Sequence, residues 1–319
     1  MTVDVEDLAW RAVSRPRTVL LAAPRSYCAG VERAISIIED LVDRKPIYVH
    51  KRIVNNKSVI ADLETRGAIF VDELDEVPDG STVMFSAHGV SPSVRAEAAA
   101  RKLDVIDATC PLVTKSHAEV RRFASRGDTV VLIGKAGHDE VEGTLGQAPG
   151  DTRLVQDVTD VAALEVRDPA RVSYLTQTTL AADQTTEIVE ALHLRFPALR
   201  GATSTAVCHA ATDRQDALAA MAVESDLVLV LGPMNSANSL RLVELAHRHR
   251  RPAHLIENAA AIRPAWLTGV RTIGLTAGAS APPRLVDGVL ALLAELGPIT
   301  VSEVEPAGET LHFGQPVSR

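Results

Sequence analysis

Cys28, Cys110 and Cys208 are the chain's three cysteines, and each stands where a run of aliphatic residues gives way to a helical pattern. TVLLAAPRSYCAGVERAISIIEDL, VIDATCPLVTKSHAEVRRFA and STAVCHAATDRQDALAAMAVE share that plan. The three form no C-x-x-C pair and their number is odd, which argues against a disulfide framework or a zinc knuckle and leaves thiols or metal ligands. A lone cysteine is commonly a small buried apolar residue, but packing does not require one at the same junction three times. At a helix N-terminus the macrodipole and the free N–H groups favour a thiolate, the form that binds metal. Three thiolates converging from three domains suit an iron–sulfur cluster with one iron lacking a protein ligand. Zinc competes, although structural zinc takes four ligands, usually in close pairs along the chain. A metal with a free position acts as a Lewis acid and can hold a substrate oxygen.

A second set of polar residues follows other apolar runs: Asn55, His88, His138, Glu140, Thr178, Ser236, Asn238 and Ser280. Histidine, hydroxyl and amide groups at helix N-termini are what a phosphate or diphosphate site needs. The chain has neither G-x-x-x-x-G-K-[ST] nor G-x-G-x-x-G, so a nucleotide-binding loop is not the anion site. Taken singly, Ser236, Asn238 and Ser280 read as helix caps and Asn55 as a turn residue. His88 in SAHG and His138 in GKAGHDE are harder to treat so, because each follows a strongly apolar strand. Glu140, beside a dry metal site, is placed to deliver protons.

The elements that must position these residues alternate strand with helix along the chain, the pattern of βαβ units on a largely parallel sheet, so the class is α/β. The order repeats three times. After each cysteine unit come a second strand (PIYVHKRIVNN, TVVLIGKAGHDE, DLVLVLGPMNSANS), a third (AIFVDEL, TRLVQDV, AHLIENA) and a fourth (TVMFSAHGVSPS, VSYLTQTTLAAD, TIGLTAGASAPP). The repeat is roughly 90 to 100 residues long, the size of one domain, and predicts domains at 18–109, 110–206 and 207–298 with a tail over 299–319. In open α/β sheets ligands gather outside the carboxyl ends of the strands, where the cysteines and polar residues are concentrated.

With 46% hydrophobic and 23% charged residues in 319, the chain is long enough for two or three cores. It holds no apolar run near the roughly 20 residues that span a bilayer. MTVDVEDLAWRAVSRPR is acidic first and lacks the basic-then-apolar order of a signal peptide, which predicts a cytoplasmic location. A net charge of −8 gives no global pull toward nucleic acid or anionic lipid.

YCAGVERAI, RGAIFVDELDEVPDG, FSAHGVS, DATCPLVTK, AGHDEVEGTLGQ, TQTTL, NSANSLRL and TAGASAP together resemble the 4-hydroxy-3-methylbut-2-enyl diphosphate reductase (LytB) family. The likeness runs from about residue 25 to residue 282. It implies a trefoil of three pseudo-threefold-related α/β domains around a 4Fe-4S cluster held by Cys28, Cys110 and Cys208. It implies reductive removal of an allylic hydroxyl, giving isopentenyl and dimethylallyl diphosphates in the methylerythritol phosphate route to isoprenoids, with electrons from ferredoxin or flavodoxin. His88, His138, Ser236, Asn238 and Ser280 would bind the diphosphate, Glu140 would relay the proton and Thr178 would hold the hydroxyl.

The chain departs from the family pattern at several positions. Asn55 in IVNN replaces a histidine, Ala237 in NSAN a serine, and Ala211 and Asp213 in CHAATDRQ a threonine and an asparagine; Lys135 stands where a histidine is common. Ala237 keeps only a backbone N–H for the substrate, and Asp213 adds negative charge. Losing a charge-assisted hydrogen bond costs roughly 1.5 to 3 kcal/mol, so the changes leave open a paralogous iron–sulfur reductase acting on another isoprenoid-derived substrate. Lower alternatives are a cluster-based redox sensor, a zinc-stabilised scaffold, or another threefold cluster enzyme such as quinolinate synthase.

Overall fold

The computed structural model describes residues 5–42, 46–54, 56–180, 182–201, 210–234 and 236–305. These form an α/β fold with three small parallel sheets, distributed over two compact units. One unit comprises 1–28, 54–59 and 209–311, the other 29–53, 60–208 and 312–319.

The first unit carries one sheet. Its strands are β1 (Arg17–Ala22), β10 (Leu227–Leu231), β11 (Ala253–Ile256), β12 (Thr272–Ala277) and β13 (Ile299–Val304), in the order β11-β10-β12-β1-β13. Every pairing is parallel, with Val19 opposite both Ile273 and Val301. The LVLVL of β10 is buried at all five positions. A strand covered on both faces reads as a continuous apolar run rather than an alternating one. Helices α1 (Val5–Ala12), α9 (Ala210–Glu224), α10 (Ala237–Arg248) and α11 (Pro283–Glu295) belong to this unit. One core joins Val19 and Leu21 to Leu229, Leu275, Val289 and Leu293; another joins Leu20 and Ala22 to Met221, Val228, Val230 and Leu242.

The second unit carries two sheets. β2 (Ile47–His50), β3 (Ala68–Val71), β4 (Thr82–Phe85) and β5 (Asp104–Asp107) lie in the order β3-β2-β4-β5; β6 (Thr129–Ile133), β7 (Thr152–Val155), β8 (Val172–Thr176) and β9 (Arg200–Gly201) lie in the order β7-β6-β8-β9. The helices are α2 (Ala29–Val42), α4 (Pro92–Ala100), α5 (Pro111–Ser125), α6 (Asp139–Leu145), α7 (Val158–Ala163) and α8 (Ala182–Arg195). α3 (Lys57–Thr65) crosses from the first unit into the second. In α2, Gly30, Ala34, Ile35, Ile37 and Ile38 are buried, a helical-period face turned to the core.

Over four strands the three sheets share one order, in which β1, β5 and β9, the strands that precede the cysteines in the sequence, each take the fourth place; the first sheet adds β13 beyond β1. β1, placed in a first domain at 18–109 by the sequence reading, instead lies between β12 and β13. Ile299–Val304, read as the start of a tail, is the edge strand on β1's other side. The cause is burial: β1 shields five of its six residues, which an interior position between two parallel neighbours provides. No helix among the described residues is long and apolar enough to cross a membrane.

Candidate active site

Cys110 is the N-cap of α5, with Pro111 at the first helical position and no capping hydrogen bond from the sulfur. Proline suits that place because its missing N–H is one the helix leaves unbonded anyway. The Cys110 N–H donates to the Ala87 carbonyl at 3.0 Å, tying the cysteine to the residue before His88. Thr109, just ahead of it, donates through its N–H to Asp107 Oδ1 at 3.0 Å and also through its hydroxyl. Burial pushes the Asp107 carboxyl up, but these hydrogen bonds and the Arg95 guanidinium outweigh it and hold it below its usual range.

Gly30, in the first turn of α2, makes room for Cys110: a Cβ there would stand 3.0 Å from the Cys110 Sγ. Cys28 and Cys110 are both half-buried. Cys208 and Asn55 lie outside the described residues. Among the described residues no three His, Cys, Asp or Glu side chains converge as a metal site. The donor chemistry nonetheless fits an iron–sulfur centre: two cysteine sulfurs at helix starts, one with the space in front of it kept clear by a glycine.

The loops after β4, β6 and β8 meet in the second unit. The rings of His88 and His138 stand 5.2 Å apart, edge to face. His138 caps α6, its Nδ1 accepting from the Glu140 N–H at 3.2 Å. That bond places the ring proton of a neutral His138 on Nε2, where it can be donated to an anion. Burial lowers the pKa of both histidines, and His88, with the neighbouring His138 adding to the effect, is held down at about 4. Both are therefore neutral at pH 7. His88 Nδ1 lies 3.7 Å from Asp139 Oδ2.

Glu140 is 3% exposed. Its Oε1 accepts from the Thr178 N–H at 2.6 Å and its Oε2 from the Thr178 hydroxyl at 2.8 Å. Burial raises its pKa to about 7 against the lowering effect of those two bonds. A carboxyl so placed exchanges a proton near neutrality, the property of a general acid. Thr178 is held in turn by its neighbour: the Gln177 N–H donates to the Ile133 carbonyl, and Gln177 Oε1 accepts from the Lys135 N–H at 3.0 Å. Lys135 is itself exposed.

Gly89 has φ of +75°, and a Cβ there would fall 2.8 Å from His117 Cε1. Gln147 of the segment after α6 donates to the Val90 carbonyl at 3.1 Å. These contacts dock the His88 loop onto α5 and α6.

In the first unit, Ser236 caps α10, accepting from the Ser239 N–H at 3.3 Å and the Ser239 hydroxyl at 3.1 Å. The cap role read for Ser236 is therefore present. A Cβ on Gly232 or Gly278, at the ends of neighbouring strands β10 and β12, would crowd the Ser239 hydroxyl and displace it. The Ser280 carbonyl accepts from Asn56 Nδ2 at 3.1 Å, while Asn56 Oδ1 accepts from the N–H and hydroxyl of Ser58 and the Val59 N–H. Ser236 and Ser280 thus follow adjacent strands, and Asn238, half-buried, sits in the first turn of α10. Ala237 opens that helix. Ala211 is buried in α9 and Asp213 lies in its first turn, where a helix N-terminus favours an acid.

Sequence reading missed Asn56, Gln177 and Ser239. Asn56 and Gln177 fix backbone on loops distant in sequence, which no local spacing shows; Ser239 bonds the Ser236 hydroxyl three residues before it, a local cap spacing that was legible.

The family model described as LytB protein matches residues 19–294. The chain belongs to that family. It is 57% identical over 305 residues to "4-hydroxy-3-methylbut-2-enyl diphosphate reductase 2" of Mycobacterium bovis, covering 94% of this chain and 93% of the relative. A protein of Xanthomonas campestris pv. campestris named 4-hydroxy-3-methylbut-2-enyl diphosphate reductase is 55% identical, covering 93% and 96%. Among solved structures, the E-1-hydroxy-2-methyl-but-2-enyl-4-diphosphate reductase from Plasmodium falciparum matches with a TM-score of 0.86 at 36% identity, over 95% of this chain and 96% of that one. A second structure, of (E)-4-hydroxy-3-methyl-but-2-enyl diphosphate reductase, matches with a TM-score of 0.69 at 28% identity, over 87% and 99%. LytB family membership makes the chain an oxidoreductase and implies an iron–sulfur centre.

Proposed function

We propose that this chain reduces 4-hydroxy-3-methylbut-2-enyl diphosphate to isopentenyl and dimethylallyl diphosphates, consuming two electrons and two protons and releasing water. Cys28, Cys110 and Cys208 hold a 4Fe-4S cluster by three sulfurs. When bound, that cluster supplies the electrons and a Lewis-acidic iron with a free position.

The protein's own residues do the rest. Glu140 gives a proton to the departing hydroxyl, and Thr178, locked against both of its oxygens, orients that hydroxyl. Neutral His138 donates from Nε2 to the diphosphate, with His88 beside it. Ser236, Asn238 and Ser280 donate to the same group, with the Ala237 N–H and Asn55 completing the set. Anchoring the diphosphate lets binding energy far from the reacting carbon hold the allylic alcohol in place. The electron donor is a ferredoxin or a flavodoxin.

The observation that carries this reading is the buried Glu140 carboxyl, raised to about 7 and bound at both oxygens by Thr178. A diphosphate-free redox sensor has no use for a proton donor tuned to neutrality. Relatives 55% and 57% identical over nearly the whole chain bear one activity name, and nothing favours a different substrate for the altered pocket. The test is Glu140→Gln, assayed without oxygen. Iron content should stay at the wild-type level while turnover falls about 10²- to 10⁴-fold, the usual worth of a general acid; turnover within threefold of wild type would refute the assignment.

A further inference from the structure

Two arginines make the same contact at two cysteines. Arg33 is the fifth residue of α2, and its Nη1 donates to the carbonyls of Ala108 at 3.1 Å and Thr109 at 3.3 Å, the two residues before Cys110. Arg214 is the fifth residue of α9, and its Nη2 donates to the carbonyls of Ser26 at 2.9 Å and Tyr27 at 3.1 Å, the two residues before Cys28. The matching offsets are in both cases the guanidinium of the helix that opens one repeat, reaching the backbone that leads into another repeat's cysteine.

Both contacts are built sites. Arg214 is fully buried, with 0% exposure, and its Nη1 also donates to the Ala210 carbonyl at 2.7 Å. Burying a guanidinium is costly unless its donors are satisfied, so a residue spending them on three carbonyls is held for a reason other than packing. The backbone it grips is strained: Ser26 has φ of +62° without being glycine, and its N–H donates to the Ala277 carbonyl at 3.1 Å. Strained backbone persists where its surroundings over-determine it. At the other site, Thr109 is held from the opposite side by Asp107, so the carbonyl and amide faces of that segment are both fixed.

We infer that Arg214 and Arg33 are positioning residues for the iron–sulfur centre: each clamps the two carbonyls preceding a ligand cysteine, sets the direction of the sulfur and places a permanent positive charge beside it. The inference rests on Cys28 and Cys110 being ligands, as proposed above. A cluster gains negative charge on reduction, so a fixed cation nearby favours the reduced form, and net charge is one of the levers that set a cluster's potential. The repeat places Lys115 as the fifth residue of α5; it is exposed, and the segment before Cys208 lies outside the described residues, so the inference stops at the two arginines.

The test uses the full chain purified without oxygen, as wild type and as Arg33→Met, Arg33→Lys, Arg214→Met and Arg214→Lys. Three quantities are read: the midpoint potential of the cluster by redox titration, the rate at which a ferrous chelator strips the iron, and the melting temperature of the iron-free protein. Each methionine variant should show a more negative potential and about tenfold faster iron loss, the equivalent of one lost charge-assisted hydrogen bond. Each lysine variant should recover most of the potential, because charge is kept, while still losing iron faster than wild type, because one ammonium does not grip two carbonyls as a planar fork does. A purely structural role would lower the melting temperature and leave the potential where it was. Arg33, only half-buried, is the variant least exposed to misfolding; a folded Arg33→Met protein with wild-type potential and wild-type iron loss overturns the inference. Cys28→Ala and Cys110→Ala separate this from a failure of the underlying reading, since unchanged iron content in those two would show that the cysteines are not ligands at all.

Discussion

At the scale of single residues, the chemistry rests on groups whose charge is set by burial rather than by type. Glu140 and His88 are ordinary in sequence; desolvation moves one up to about 7 and the other down to about 4. If protonated Glu140 is the acid, kcat/KM should fall as pH rises through about 7, toward tenfold per unit, and Glu140→Gln should abolish that limb of the profile. His117 gives a prediction of the opposite kind. It is buried on α5, and desolvation, with Arg121 and Arg95 adding to it against Asp107, lowers its pKa to about 4. The stability it contributes as a neutral group is present above about 6.5 and lost as pH falls through about 4. His117→Gln should therefore remove roughly 1–3 kcal/mol of acid destabilisation across that window, read as a lower midpoint of acid unfolding. The sequence singles out His88, His138, Glu140 and Thr178, and the structure brings these four onto adjoining loops. What it conceals is that Ser236 shares its hydroxyl with Ser239, and that Asn56 beside Asn55 secures the Ser280 carbonyl. The first is a local contact three residues apart that competes with other cap readings, and the second joins residues more than two hundred positions apart.

At the scale of elements, helix starts and strand ends carry the site. Gly30 in α2 is a close fit against a cysteine. Gly30→Ala would set its Cβ 3.0 Å from the Cys110 sulfur, so the variant should fold with little change in melting temperature yet hold markedly less iron per chain. β13 is the other element with a definite consequence. It pairs with β1 along its whole length; the Ala23 N–H donates to the Val304 carbonyl at 3.0 Å, and Arg25 pairs with Glu303 at 2.6 Å. Truncation after Pro298 should lower the melting temperature by roughly 5–10 °C, equivalent to a few kcal/mol, and speed iron loss by loosening the segment before Cys28. The α/β class and the strand-helix alternation were readable from period and turn residues. The position of β1 was not. RTVLLA carries four apolar residues in a row, like strands of the other two sheets, and nothing local distinguishes a partner nearby in sequence from one more than two hundred residues away.

At the scale of the whole chain, a single unit of strand order is used three times, and Cys28 and Cys110 each sit between a strand and the next helix. The same strand-to-helix junction, repeated in the sequence at all three cysteines, is what makes the threefold repeat legible and what the proposed cluster ligation draws on. The edges of the repeat are harder to read, because β5, before Cys110, pairs with β4 while α5, after it, packs on β6. The direct measurement is turnover. Full-length protein with its cluster reconstituted under anaerobic conditions, given 4-hydroxy-3-methylbut-2-enyl diphosphate and a low-potential reductant, should yield isopentenyl and dimethylallyl diphosphates. Full cluster occupancy with no conversion of that substrate would contradict the account.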